Sequence, residues 1–307
     1  VEIDGYSQPG AAPSTDGSPA VLRIELDGSN AGADTHGLTI ATSGSRVRGL
    51  VINDFTGCGI YVDGSNNDVQ GNYIGTDVTG TMDVGNSSGG VWIWNSQANT
   101  IGGNTPAERN IISGNDGPGV YIFVGSGNDV RGNYIGTDVT GTMDVGNSHE
   151  GVVILFSEDN TIGGNTPGER NIISGNDDPG VVIANWSSNN YVQGNYIGTD
   201  VTGTAQLGNS GDGVLIVESH LNTIGGTTTA ERNVISGNGD HGVSIYGGNR
   251  NDVRGNYIGT DVSGTAQLGN SHHGVHIDES YTNTIGGNII SGNDVHGVYI
   301  YGCIVPP

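Results

Sequence analysis

The chain has 307 residues, of which 57 are Gly, 32 acidic and nine basic, for a formal net charge of -23. Every basic residue is Arg, which argues against nucleic acid or an anionic membrane as partner and removes the phosphate-binding and Schiff-base chemistry that needs Lys. Charged residues make up only 13% while apolar ones recur regularly, so the chain is not disordered, and Gly keeps no three-residue register, which excludes collagen.

The chain opens directly in a strand-like phrase, VEIDGY, and reads as a piece of a longer chain; no apolar run approaches a membrane span. Residues 1–36 are expected to form an irregular first turn. From residue 37 a frame sets in: Gly-Val-x-Ile, then Ser-x-x-Asn, an aliphatic residue, Gly and Asn. Its opening Gly recurs as Gly37, Gly59, Gly90, Gly119, Gly151, Gly180, Gly213, Gly242, Gly274 and Gly297, which predicts ten regular turns over 37–307. Two versions of the turn alternate. One carries GNYIGTDVTGTMDVGNS at 71–87 and returns at 132–148, 194–210 and 255–271, spaced by 61, 62 and 61 residues. A fixed period of this kind means one unit stacked on itself. The other carries NTIGGNTPAERNIISGND at 99–116, but at 283–293 the TPAER insertion is missing, so that loop lies outside the core.

Each turn holds three short apolar segments. The first is Val-x-Ile with a period of two, as in Val91 and Ile93. The second centres on one aliphatic residue, from Val69 to Ile285, and the third on an Ile in every copy, from Ile74 to Ile290. One residue type held at one position of every turn is what parallel strands stacked ~4.8 Å apart bury as a column. The corners agree: one Asn precedes the second strand (Asn67 to Asn283), another the third (Asn72 to Asn288), and another the return to the first (Asn86 to Asn293). Asn tolerates the left-handed backbone region, and stacked Asn side chains can bond from turn to turn. No segment has a 3.6-residue period, so an α-solenoid is excluded. The prediction is one all-β domain over 1–307, a solenoid of triangular section with about ten to eleven turns, three strands per turn and Asn ladders at the corners.

The Gly-Val-x-Ile…Asn-x-Val-x-Gly-Asn frame resembles the right-handed parallel β-helix repeat of pectate lyases, polygalacturonases, alginate epimerases and phage tailspikes. The phrases IDGYSQPGA at 3–11 and GNYIGTDVTGT look like large bacterial surface or secreted β-helix proteins. The resemblance covers essentially the whole chain and implies the fold and a location outside the cell, secreted or at the cell surface; it implies little about activity, because this architecture hosts many.

In a repeat protein the residues that repeat build the turn, and those that break the repeat are free to carry function. The oxygen-rich loop from Asp77 to Asn86 suggests calcium, but Gln206 and Gln267 stand where earlier copies have Asp83 and Asp144, so it reads as a turn in which Asp77 bonds the backbone ahead of Gly80. No metal and no cofactor are expected. The pairs Glu108-Arg109, Glu169-Arg170 and Glu231-Arg232 repeat and read as a stacked ion-pair row of little energetic weight.

On the first strand, residues two and four after the opening Gly face outwards. Trp92, Trp94, Tyr121 and Phe123 stand together there, and Tyr246, Tyr299 and Tyr301 gather near the other end, with aliphatic turns between. Exposed aromatics on a flat sheet form a platform for sugar rings; the competing reading is a hydrophobic face covered by a loop or by another chain. Just before the opening Gly lies a second variable column that becomes acidic and imidazole-rich towards the C-terminus. Asp212, Asp240, His241, His273, His276 and Asp278 are the candidate catalytic residues, as a general acid/base set. The runs Asp240-His241-Gly242 and His272-His273-Gly274 resemble the polygalacturonase His motif, yet that family's Lys-containing element has no counterpart in a chain without Lys, and the Asp-Pro-His motif of alginate epimerases is absent. Cys58 and Cys303 sit eight turns apart, roughly 38 Å at the strand spacing, too far to bridge within one chain. The reading is an extracellular scaffold that contacts polysaccharide or another surface partner along its first-strand face, with self-association as another use of that face; the alternative is a polysaccharide lyase or glycoside hydrolase working from it.

Overall fold

A computed structural model describes residues 1–302, so Cys303 lies outside the described residues. The protein is an all-β, right-handed parallel β-helix built from three parallel sheets of ten strands each. The first sheet runs from Leu38–Ile40 to Val298–Tyr301, the second from Glu2–Asp4 to Thr284–Gly286, and the third from Ile24–Asp27 to Ile289–Ile290. Residues 1–36 are more regular than the sequence suggests. Glu2–Asp4 pairs with Arg46–Arg48 and Ile24–Asp27 pairs with Leu50–Asn53, so residues 1–36 already supply strands to two of the sheets, and the stretches 8–23 and 28–36 remain irregular.

The columns explain why the stack is stable. Ile93, Ile122, Ile154, Ile183, Ile216 and Ile245 pair in register along the first sheet, all without solvent exposure, and Ile74, Ile112, Ile135, Ile173, Ile197, Ile235 and Ile258 do the same in the third. The opening Gly exists for these columns: a Cβ on Gly119 would stand 2.7 Å from Ile135 Cγ2.

All three Asn ladders form. In the ladder before the third strand, Asn171 Nδ2 donates to Asn195 Oδ1 at 2.9 Å and to the Val130 carbonyl at 2.8 Å, while Asn171 Oδ1 accepts the Asn133 backbone N–H at 2.9 Å. Each buried amide is therefore satisfied from turn to turn, as burial of a polar group demands. Although Asn tolerates the left-handed region, the ladder Asn residues do not occupy it. Before the second strand the left-handed residue is the one preceding the ladder Asn: Asn66, Ala98, Asp159, Asn189, Leu221, Arg250 and Thr282 all have positive φ. The corner bend belongs to that residue, which leaves the Asn itself free to hold the ladder.

Two loop expectations change in detail. Asp77 does close a turn, its carbonyl accepting the Gly80 N–H at 2.9 Å, and its Oδ1 reaches further to accept the N–H groups of Thr81 and Met82, both at 3.1 Å. The Glu-Arg pairs do not form an ion-pair row. Glu108 Oε2 turns inward to accept the N–H groups of Asn104 and Thr105, both at 3.0 Å, and Glu169 and Glu231 close their own loops in the same way. The Arg residues instead lie over Tyr rings of the next turn: Arg109 on Tyr134 at 4.3 Å, Arg170 on Tyr196 at 4.2 Å and Arg232 on Tyr257 at 4.1 Å. A planar guanidinium stacks well on a ring face, and the backbone N–H groups of a tight loop outcompete it for the carboxylate.

Candidate functional site

The first sheet lays its outward residues in two columns. One runs Tyr61, Trp92, Tyr121, Val153, Val182, Leu215, Ser244, His276 and Tyr299; the other runs Trp94, Phe123, Leu155, Ala184, Val217, Tyr246, Asp278 and Tyr301. This is the alternation expected of strands whose Val and Ile positions face the core.

Near the N-terminal end the aromatics form one connected surface. Trp92 meets Tyr121 at 5.1 Å between ring centroids, and Trp94 stacks on Phe123 at 4.3 Å with 19° between the planes. Phe156 then closes edge-on against Phe123 at 5.6 Å, and Trp186 stands 69% exposed beyond it. Phe156, Trp186, Val124 and Asn95 border a shallow groove of about 260 Å³ at the end of the strands. Sequence reasoning passed over Phe156 and Trp186. A partial signal was available: they stand just after the first strand, where other turns have Asn95 or Glu218, and no repeat rule calls for a large ring there.

Between the two ends, Val153, Val182 and Ala184 point outwards yet are buried, because neighbouring aliphatics pack side by side over one another. The middle is a sealed floor rather than an exposed greasy patch.

The C-terminal end is imidazole-rich. His241 stacks on His273 at 4.9 Å with 9° between the planes, His273 stacks on His296 at 5.1 Å with 2°, and Tyr299 lies on His273 at 4.7 Å. His276 closes on His241 at 4.6 Å. The stack is a hydrogen-bonded corner ladder: Asp212 Oδ1 accepts the His241 N–H at 2.9 Å, His241 Nδ1 accepts the His273 N–H at 3.1 Å, and His273 Nδ1 accepts the His296 N–H at 3.2 Å. At the opposite end of the helix His36 Nδ1 accepts the Cys58 N–H in the same manner, at 3.0 Å.

These contacts fix chemistry. An Nδ1 that accepts a backbone N–H cannot carry a proton, so the neutral rings of His241 and His273 hold theirs on Nε2. Protonation would set N–H against N–H. Burial, together with the neighbouring imidazoles, lowers the His241 pKa to about 4 and lowers that of His273 as well. At neutral pH both rings are hydrogen-bond donors through Nε2, not bases, which narrows the general-base role expected of them. Asp212 moves the other way: burial first, and then the charge of Asp240, raise its pKa to about 7. Asp240 Oδ1 lies 3.1 Å from His272 Nδ1 and 3.5 Å from His241 Nε2 and makes no hydrogen bond of good geometry. Of the candidate catalytic residues, the structure gathers Asp212, Asp240, His241, His273 and His276, whereas Asp278 lies in the next column between Tyr246 and Tyr301. The two ends are six strands apart from Trp92 to His276, roughly 29 Å at the strand spacing.

Two other observations complete the inventory. Two groups of donors lie within 4.8 Å of one another, Asp240 with His241 and His272, and His149 with Glu150 and Asp178. No helix among the described residues is long and apolar enough to cross a membrane.

The family described as "Periplasmic copper-binding protein (NosD)" matches residues 206–303. No curated protein matches the chain at a significant level. Among solved structures, the A-module of the Azotobacter vinelandii mannuronan C-5 epimerase AlgE4 superposes with a TM-score of 0.56 at 13% identity, over 86% of this chain and 63% of that one. The periplasmic alginate epimerase AlgG superposes with a TM-score of 0.46 at 16% identity, over 84% of this chain and 63% of that one. The Dettilon tailspike protein gives a TM-score of 0.38 at 16% identity, over 86% and 61%. The chain spans about three-fifths of the length of these structures. At such identities the likeness bears on the fold, and the fold it bears on is the one the sheets display: this chain is a right-handed parallel β-helix repeat protein.

Proposed function

We propose that the protein is a β-helix scaffold acting outside the cytoplasm, secreted or at the cell surface, that holds polysaccharide along its first-strand face. The observation that carries the reading is the continuous, partly exposed ring surface of Trp94, Phe123 and Phe156 with Trp186 beyond it, at the rim of a groove. Rings presented in this way stack on the apolar faces of sugars while the sugar hydroxyls stay in water. A protein of this fold that is named for acting on mannuronan, the AlgE4 module, gives the reading a precedent in kind.

The test is a glycan-binding panel with the Trp92→Ala/Trp94→Ala double variant. Stacking on one Trp contributes roughly 1 kcal/mol, so the double variant should bind ~10–100-fold more weakly with an unchanged melting temperature. Parental binding to every glycan, combined with loss of self-association in sedimentation, would assign the face to protein contact instead.

A second reading, a polysaccharide lyase or glycoside hydrolase, is favoured by one feature: a carboxyl group with its pKa near 7, Asp212, beside a row of fixed imidazole donors. A carboxyl poised in this way suits a proton donor. Release of reducing ends or unsaturated uronates by the parent, abolished in Asp212→Ala with binding retained, is the outcome this reading requires.

Within the matched residues 206–303, the donor set Asp240, His241 and His272 does not fit the copper named in that family, because the His241 nitrogen that faces Asp240 already carries the proton that its Nδ1 contact forbids elsewhere. A metal ligand must be the unprotonated nitrogen.

A further inference from the structure

The TPAER loops do more than decorate the second corner. Each lies over the turn before it, and the carbonyl of its Glu accepts an N–H from that turn: Gly71 to Glu108 at 3.0 Å, Gly132 to Glu169 at 2.9 Å and Gly194 to Glu231 at 2.9 Å. In one place the loop also delivers charge. Arg131, on the outer side of the second sheet, donates from Nη1 to the free Oε1 of Glu169 at 3.3 Å.

Arg254 occupies the position of Arg131 two repeats later, and the loop that would cover it is the one the sequence omits at 283–293. The N–H of Gly255 turns to the Gly286 carbonyl instead, at 3.1 Å. Arg254 then has a single acidic neighbour, Asp252 on its own strand. The space that a loop fills elsewhere is here a pocket of about 410 Å³, lined by Arg232, Arg254, Asp252, Thr227, Thr229 and Thr284. Its volume falls within the range of small-ligand sites, roughly 300–1,000 Å³. With two Arg and one Asp it carries a local charge of +1 in a chain of net charge -23. The adjoining loop also breaks the repeat: where earlier copies read NTPAER and NTPGER, this one reads TTTAER, which adds hydroxyls at Thr227 and Thr229.

We propose that this pocket binds the carboxylate of a sugar acid, a uronate unit of a glycan, in the place that Glu169 takes against Arg131. A guanidinium pairs with a carboxylate through two parallel hydrogen bonds, which gives both strength and orientation. The hydroxyls of Thr227, Thr229 and Thr284 serve the sugar hydroxyls, which a bare anion would not need. The pocket lies on the second sheet, away from the aromatic face, so the proposal stands apart from the stacking site described above.

The probe is tri-galacturonate, measured by calorimetry against the intact chain, with the neutral galactose trimer and the acidic peptide Thr-Pro-Gly-Glu-Arg alongside. Tri-galacturonate should bind and the neutral trimer should not. Arg254→Gln should weaken the acid trimer about ten-fold, while Arg131→Gln, whose partner is the chain's own Glu169, should leave it unchanged. Inserting Asn-Thr-Pro-Gly-Glu-Arg between Gly287 and Asn288 should restore the missing loop and abolish binding without lowering the melting temperature. Trp92→Ala/Trp94→Ala should not alter this binding, so the failure of one site is distinguishable from the failure of the other. Equal binding of acid and neutral trimers, an Arg254→Gln variant like the parent, or an inserted loop that leaves binding intact would each overturn the proposal. Tighter binding of the peptide than of the sugar acid would overturn it too, and would make the pocket a docking place for a protein loop.

Discussion

The Asn corners and the first-strand outer face are made by the same chain under the same period, yet one hardly varies and the other hardly repeats. At the corner before the third strand the residue is Asn in every copy from Asn72 to Asn288, and each side chain bonds the next. On the outer face the equivalent positions pass from Trp92 through Val153 and Leu215 to His276. A buried amide must find partners in both neighbouring turns, so a change at one turn strands groups in two others. An outward side chain meets water on one side, and its neighbours adjust. Repetition in this molecule therefore measures how many turns depend on a residue, and its breakdown marks where selection for something other than folding can act.

The sharpest way to break that contrast is a core column. Ile173→Ala removes a fully buried side chain held between two identical neighbours and should cost ~2–5 kcal/mol by chemical denaturation. The Trp92→Ala/Trp94→Ala variant, which removes far more side-chain volume but from the outer face, should leave stability unchanged and register only in binding. If the two variants unfold alike, the face is as structural as the core. Deleting residues 166–170 probes an intermediate case. The loop carries Arg170 over Tyr196 and Glu169 against Arg131, so its removal should cost about 1 kcal/mol, well below the core substitution. A loss as large as that of Ile173→Ala would move the loop into the core.

The smallest expected effect concerns Cys58. Burial raises its thiol pKa from 9.0 to about 12. Because the folded value lies above the unfolded one, the thiol form supports the fold fully below pH 9, and that support is lost as the pH rises through about 12. In a Cys303→Ser background, alkylation of Cys58 at neutral pH should be negligible in the native state and rapid only in denaturant. Rapid native alkylation would place Cys58 on the surface.

The period, the three columns and the ladder positions were all legible in the sequence, because stacking forces the same demand on every turn and writes it in the same letter. The outward columns followed from strand alternation alone. Other features needed the tertiary structure. Phe156 and Trp186 lie at bends, where direction is set by positive φ rather than by alternation, and only the stack brings Phe156 to Phe123. The burial of Val153 and Val182 depends on neighbours contributed by other turns. The partners of Glu108 and Arg109 could not be read from their adjacency, since the carboxylate closes its own loop and the guanidinium reaches a ring one turn on. The locked tautomers of His241 and His273 arise because turns separated by tens of residues place a backbone N–H against an imidazole. A sequence states what every turn requires of itself; proton positions, stacking partners and pockets depend on what one turn presents to the next, and that is decided by the registry of the stack.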